Sequence, residues 1–219
     1  MPRIEWDKDG EKLYETGVDR VVLFVKDTTG KTGNGVGWNG VTAIEESPSG
    51  AEANPYYADN KKYLNIISNE EFGCSLTAYT FPEEFEVCDG CAEVEDGVLI
   101  TQQTRRGFGL AYRTLIGNDV VGNDYGYKIH LVYNCMAAPA SKSNNTVNES
   151  TEPGEFSYEI TTTPVDVAGY KPTAHIVINS TKVSAEKLQA LENLIYGTED
   201  AEATLPSPAE VVALFKTAA

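Results

Sequence analysis

Gly107–Asn134 reads GFGLAYRTLIGNDVVGNDYGYKIHLVYN. In its first half Phe108, Leu110 and Tyr112 fall on one side of an alternating pattern, and Gly109, Ala111 and Arg113 on the other. In its second half Tyr127, Ile129, Leu131 and Tyr133 alternate with Lys128, His130 and Val132. Period-two alternation is the signature of a strand, because successive side chains point to opposite faces. The intervening GNDVVGND is rich in residues that tolerate turn geometry. The stretch therefore predicts an antiparallel hairpin.

Working outward, the same grammar recurs. Arg20–Lys26 (RVVLFVK) is apolar on both faces and predicts a central buried strand. Val41–Glu46, Leu64–Ile67 and Gly73–Thr80 are further strand candidates upstream. Glu155–Thr163 places Phe156, Tyr158 and Ile160 on one face, and Thr173–Asn179 completes the set. Two helices are expected near the end. Ser184 caps the first, with Val183 and Leu188 spaced as a hydrophobic staple; Leu188, Leu191 and Ile195 form its stripe and Gly197 stops it. Ser207-Pro208-Ala209-Glu210 opens the second with a capping box and a proline at its first position. The expected fold class is mainly β (α+β): an antiparallel sandwich or half-barrel with one packed helix and a C-terminal helical arm. Residues 1–197 form the expected β domain, with long loops at 27–40, 47–57 and 138–154. Residues 198–219 are expected to be an acidic linker and the arm, with Leu214 and Phe215 facing a partner.

Composition narrows the function. The 219 residues carry 17 Lys and Arg against 33 Asp and Glu, a formal charge of −16. Such a field repels nucleic acids and anionic membranes. No apolar run is long enough to span a bilayer, and the first residues lack a secretory core, so a cytosolic site of synthesis is expected. The acceptor tripeptides at Asn144, Asn148 and Asn179 then carry no meaning. Cys74, Cys88, Cys91 and Cys135 are expected to be reduced thiols. One CxxC at Cys88–Cys91 falls short of a zinc site, which needs two further close ligands.

The tempting catalytic motifs fail on context. Thr29-Gly30-Lys31-Thr32 ends like a phosphate-binding loop, but Val25 stands where that loop needs glycine. Gly35–Gly40 fits G-x-G-x-x-G with no strand immediately before it and no helix after it. His130 and His175 each read as a lone strand histidine, suited to a surface or an interface. No nucleophile signature occurs, so no catalytic residue, cofactor or metal is expected. Glu83–Asp96 holds seven acids and no base. It reads as a solvated face, or else as a lining that polyanions do not stick to.

Three long segments resemble the major tail (tail tube) proteins of tailed bacteriophages and prophages of Gram-positive bacteria. They are KKYLNIISNEEFGCSLTAYTFPEEFEVCDG (Lys61–Gly90), TQQTRRGFGLAYRTLIGNDVVGNDYGYKIHLVYNCMAAPASK (Thr101–Lys142) and FSYEITTTPVDVAGYKPTAHIVINSTKVSAEKLQALENLIYG (Phe156–Gly197). The likeness runs over roughly Val18–Gly197; Thr198–Ala219 is less familiar. It implies a structural virion protein whose six-membered rings stack into a hollow tube, assembled in the host cytoplasm. It implies a bore that admits a tape-measure protein and passing double-stranded DNA without binding them specifically. Tail terminator and distal tail proteins are the other implied partners, with no membrane. Related readings are another ring-forming tail protein, such as a terminator or a phage-derived secretion tube, and a carbohydrate-binding β module of a virion.

On that reading the acids expected at the bore are Glu45, Glu46, Asp119 and Asp124. The expected inter-subunit contacts are Lys31, Trp38, Tyr56 and Tyr57 in the loops, the basic pair Arg105-Arg106, and Leu214 and Phe215 in the arm.

Overall fold

The computed structural model describes residues 3–144, 146–147 and 153–216. Its strands are β1 (Leu13–Lys26), β2 (Thr32–Gly37), β3 (Val41–Glu46), β4 (Ser49–Gly50), β5 (Ala53–Ala58), β6 (Lys61–Ile67), β7 (Glu70–Glu71) and β8 (Gly73–Ala78). After a single 3-10 turn at Glu83–Phe85 come β9 (Ala92–Glu95), β10 (Val98–Ile100), β11 (Phe108–Asn118), β12 (Gly122–Ala137), β13 (Phe156–Thr162) and β14 (His175–Asn179). Helices α1 (Ala185–Tyr196) and α2 (Pro208–Phe215) follow. The fold is mainly β and antiparallel, with two helices, as the alternation implies.

The hairpin of β11 and β12 is the spine of one eight-stranded sheet, ordered β2-β1-β11-β12-β13-β8-β3, with β14 on β12 as a branch. The turn works because Asn118 accepts hydrogen bonds through Oδ1 from the amides of Val120 and Val121. Gly122 then takes a φ of +70°, closing the strands on a three-residue loop. β12 is long enough to change partners. Its first half pairs with β14 through Lys128–Val132, and its end pairs with β13 from Cys135 onward. Asn134 sits at the fork with a φ of +50°, a conformation asparagine tolerates better than most residues. Further register shifts interrupt β1 at Thr16/Val18 and Asp19/Val22, where Gly17 and Arg20 have positive φ. Such bulges bend a strand and sharpen its twist. The sheet curls until β3, at one edge, contacts β1 near the other.

The curl creates two cores. Inside it, Val21, Leu23, Leu76, Phe85, Phe108, Leu110, Tyr112, Val132, Tyr158 and Ile160 pack together. Outside it, Val22, Phe24, Ala111, Ile129, Leu131 and Tyr133 meet Leu188, Leu191 and Ile195 of α1. The central strands are apolar on both faces because both faces are covered. Each fully buried large aliphatic or aromatic side chain stabilises the fold by roughly 1.5–3 kcal/mol before chain entropy is counted.

Several sequence expectations change here. Residues 27–40 are not one loop, because β2 forms a hairpin with β1 after the Asp27–Lys31 turn. Residues 47–57 are not one loop either, since they hold β4 and most of β5. In 138–154 the described residues contain no strand or helix, and Asn148 lies outside the described residues. The C-terminal segment is joined to the core rather than held apart from it. Val211 is buried, and Ala203, Leu205, Leu214 and Phe215 pack against the outer cluster. Backbone bonds from Gly35 N to Ala203 O and from Thr204 N to Leu194 O tie the linker down. The capping box at Ser207 and Glu210 forms as expected. Ser184 occupies the cap of α1 without a side-chain bond to it.

Candidate functional site

The feature of this chain least like a self-sufficient globule lies between β3 and β8. These neighbours in the sheet are two legs of one extended hairpin, Val41–Ala78. Above the sheet the legs stay paired through Ser47 N to Gly73 O, then β4 with β7, then β5 with β6. Asp59 and Asn60, with φ of +51° and +59°, make the tip. Two consecutive positive φ values suit the twist of a tight hairpin. From Ser47 to the tip is about twelve residues, a projection of up to about 40 Å at ~3.3 Å per residue. Every residue of β5 and β6 is exposed. They include Tyr56, Tyr57, Tyr63, Leu64, Ile66 and Ile67, with Tyr57 70% and Ile67 64% exposed. The shorter β9–β10 hairpin likewise exposes Val94, Val98, Leu99 and Ile100.

The expected contact residues divide. Tyr56 and Tyr57 are on the arm and accessible, and Lys31 and Arg106 are exposed. Trp38 is not available for a neighbour: it is 3% exposed, packed at a tilt against Phe85 with ring centroids 4.5 Å apart, and donating from Nε1 to Thr80 O at 2.8 Å. Its indole anchors the inner core because both its ring and its N–H find partners there. Arg105 is also engaged internally. It pairs with Asp89 at 3.3 Å and reaches the carbonyls of Cys88, Ala137 and Ala138. Leu214 and Phe215 turn inward, as described above.

The expected acids divide too. Glu45 and Asp124 are exposed. Asp119 accepts from the amide of Gly10 at 3.0 Å and lies 3.7 Å from Lys12. Within Glu83–Asp96, Asp89 is neutralised by Arg105 and Lys142. The bases on the central hairpin are paired as well, Arg113 with Asp19 at 2.5 Å and Lys128 with Glu15.

Glu46 belongs to a different constellation. One of its carboxylate oxygens, Oε1, accepts from the Tyr112 hydroxyl at 2.8 Å and lies 3.2 Å from His130 Nδ1. His130 Nδ1 is also 3.1 Å from His175 Nε2, and its other nitrogen is 3.1 Å from the Thr114 hydroxyl. The register explains the meeting. Tyr112 stands opposite His130 on β11, and His130 and Val132 stand opposite Val177 and His175 on β14. Diagonal neighbours in an antiparallel pair share a face, so the two imidazoles come together. The rings of Tyr112, His130, His175 and Phe72 form a ladder with centroid spacings of 4.5, 5.3 and 4.2 Å. Burial, with the adjacent His175, holds the His130 pKa down to about 4. His175 is lowered as well, by burial. Both are neutral at neutral pH. His130 is not the surface or interface residue that its isolation on a strand suggests: it is 5% exposed.

The cysteines are all free. Burial pushes the Cys74 and Cys88 thiols up to about 12, which leaves negligible thiolate at neutral pH. The CxxC forms a turn, with Gly90 at φ +82° and Cys91 N bonded to Glu86 O. No helix among the described residues is long and apolar enough to cross a membrane.

No family model matches the chain, and no curated protein matches it. Among solved structures it is similar to a sheath/tube terminator of an extracellular contractile injection system, PVC, in the extended state. That pair has 10% identity and a TM-score of 0.34, covering 80% of this chain and 99% of the other. It is similar to a PVC sheath-tube complex chain at 13% identity and a TM-score of 0.33, over 73% and 88% of the two chains. A third is the anti-feeding prophage cap (AFP tube terminating cap), at 9% identity and 0.33, over 82% and 96%.

Proposed function

We propose that this chain is a non-catalytic structural subunit of a phage-type tail, which polymerises as stacked hexameric rings into the tube through which DNA passes. The observation that carries the reading is the β3–β8 arm. An isolated two-stranded hairpin is marginal in water, and this one offers aromatic and aliphatic side chains on both faces. Contiguous exposed apolar surface of that kind marks an association site. A closed ring needs a head-to-tail contact, and stacking needs a second contact that does not close. An arm projecting well beyond its own domain can reach a neighbouring copy for either. The sequence resemblance over Val18–Gly197 supports the same conclusion. A charge of −16 suits a conduit that polyanions traverse without being held.

The test is self-association. Sedimentation velocity and negative-stain microscopy of the wild type should give rings or tubes as concentration rises. Tyr57→Asp with Ile67→Asp should abolish them while leaving the monomer folded. Small discrete oligomers that bind glycans through the arm tyrosines would instead support a carbohydrate-binding module.

A further inference from the structure

We propose that Glu46, His130 and His175 form a transition-metal site of the zinc type, clamping strand β3 to β12 and β14. One candidate ligand atom from each of the three residues lies within 4.8 Å of the other two, and His130 Nδ1 is 3.2 Å from Glu46 Oε1 and 3.1 Å from His175 Nε2. Two ligands at zinc distances of ~2.0–2.1 Å are about 3.3–3.4 Å apart across a tetrahedral edge. Small adjustments of Glu46 and His175 would therefore bring all three onto one ion. Among the described residues this is the one grouping of His, Cys, Asp and Glu so arranged.

Proton accounting supports the assignment. Without an ion, His130 Nδ1 faces a carboxylate oxygen and an imidazole nitrogen, and a single N–H cannot serve both well. Thr114 Oγ1 can accept a hydrogen bond from the Nε2–H of His130, which leaves the Nδ1 lone pair directed at the cluster. The Tyr112 hydroxyl already donates to Glu46 Oε1. These are the outer contacts that orient metal ligands and fix their tautomers. Two histidines and one carboxylate leave a fourth position for water, on the side where Glu46 is exposed. The donor set of imidazole and carboxylate favours zinc, cobalt or nickel over calcium or magnesium. The site would add a cross-strand tie where the curled sheet meets the root of the arm. It does not depend on the tail reading.

The test uses the full chain, stripped with chelator and titrated with cobalt(II), with zinc then displacing it. The expected result is one ion per chain, with the visible absorption of a low-symmetry cobalt site and a raised melting temperature. Glu46→Gln and His175→Gln should each weaken binding at least tenfold, with circular dichroism unchanged. A Cys88→Ser, Cys91→Ser variant should bind as the wild type does. Absence of binding, or binding lost only in the cysteine variant, would overturn the proposal. Binding that survives both ligand substitutions would overturn it equally.

Discussion

Two hairpins of this chain follow the same backbone rules and meet opposite fates. β11 and β12 are covered on both faces, by the inner core on one side and α1 on the other. β5 and β6 carry comparable apolar content and are covered on neither. Since strand pairing is common to both, the contrast shows that stability resides in what covers a sheet. The first hairpin holds the chain together, and the second leaves apolar surface exposed, which the proposed assembly would cover.

The largest expected effect separates the two outright. Tyr57→Asp with Ile67→Asp should remove polymer completely while changing the unfolding free energy of the monomer by no more than about 0.5 kcal/mol, the usual range for surface changes. In the other region, Leu131→Ala should cost about 2–5 kcal/mol, and Trp38→Ala about 3–5 kcal/mol, in chemical denaturation at constant slope. Their folded fraction should still assemble. A Trp38→Ala protein that keeps its stability and loses assembly would return the indole to an interface.

The same contrast explains what was legible in the sequence. The central hairpin could be read because both strands alternate over many residues and a turn-rich octet separates them. RVVLFVK could be read because only a doubly covered strand is apolar throughout. The arm was half hidden. Pro55 and the Gly- and Asn-containing stretch around it read as loop, and only Leu64–Ile67 showed as strand. An uncovered hairpin has no buried face to impose a period, so its pattern is weak. β2 does not show in the sequence for a related reason: TGNGVG has few side chains to alternate. The metal-type cluster was hidden by distance. Glu46, His130 and His175 are far apart in sequence, and only the register of β12 on β14 places the histidines on one face. The alternation around His130 marks its strand, but one strand alone does not show what covers its face.

A smaller effect tests whether the tail belongs with the stable region. Val211 is 3% exposed, in the outer cluster that includes Leu188, Leu191 and Ile195 of α1. Val211→Ala removes two buried methylene equivalents and should cost about 1.5–2 kcal/mol. A freely hanging arm would register nothing. Smaller again, Ser207→Ala breaks the capping box and should cost about 1 kcal/mol. Both changes should leave assembly intact at temperatures where the chain is folded, because Val211, Leu214 and Phe215 are packed into the outer core of their own chain.

The most direct measurement of the central claim is negative-stain electron microscopy of wild type and the Tyr57→Asp, Ile67→Asp variant, side by side across a concentration series. The account predicts rings or hollow tubes with sixfold end views for the wild type, and only monomers for the folded variant. A wild type confined to monomers or dimers at every concentration, or a variant that polymerises as readily, would contradict it.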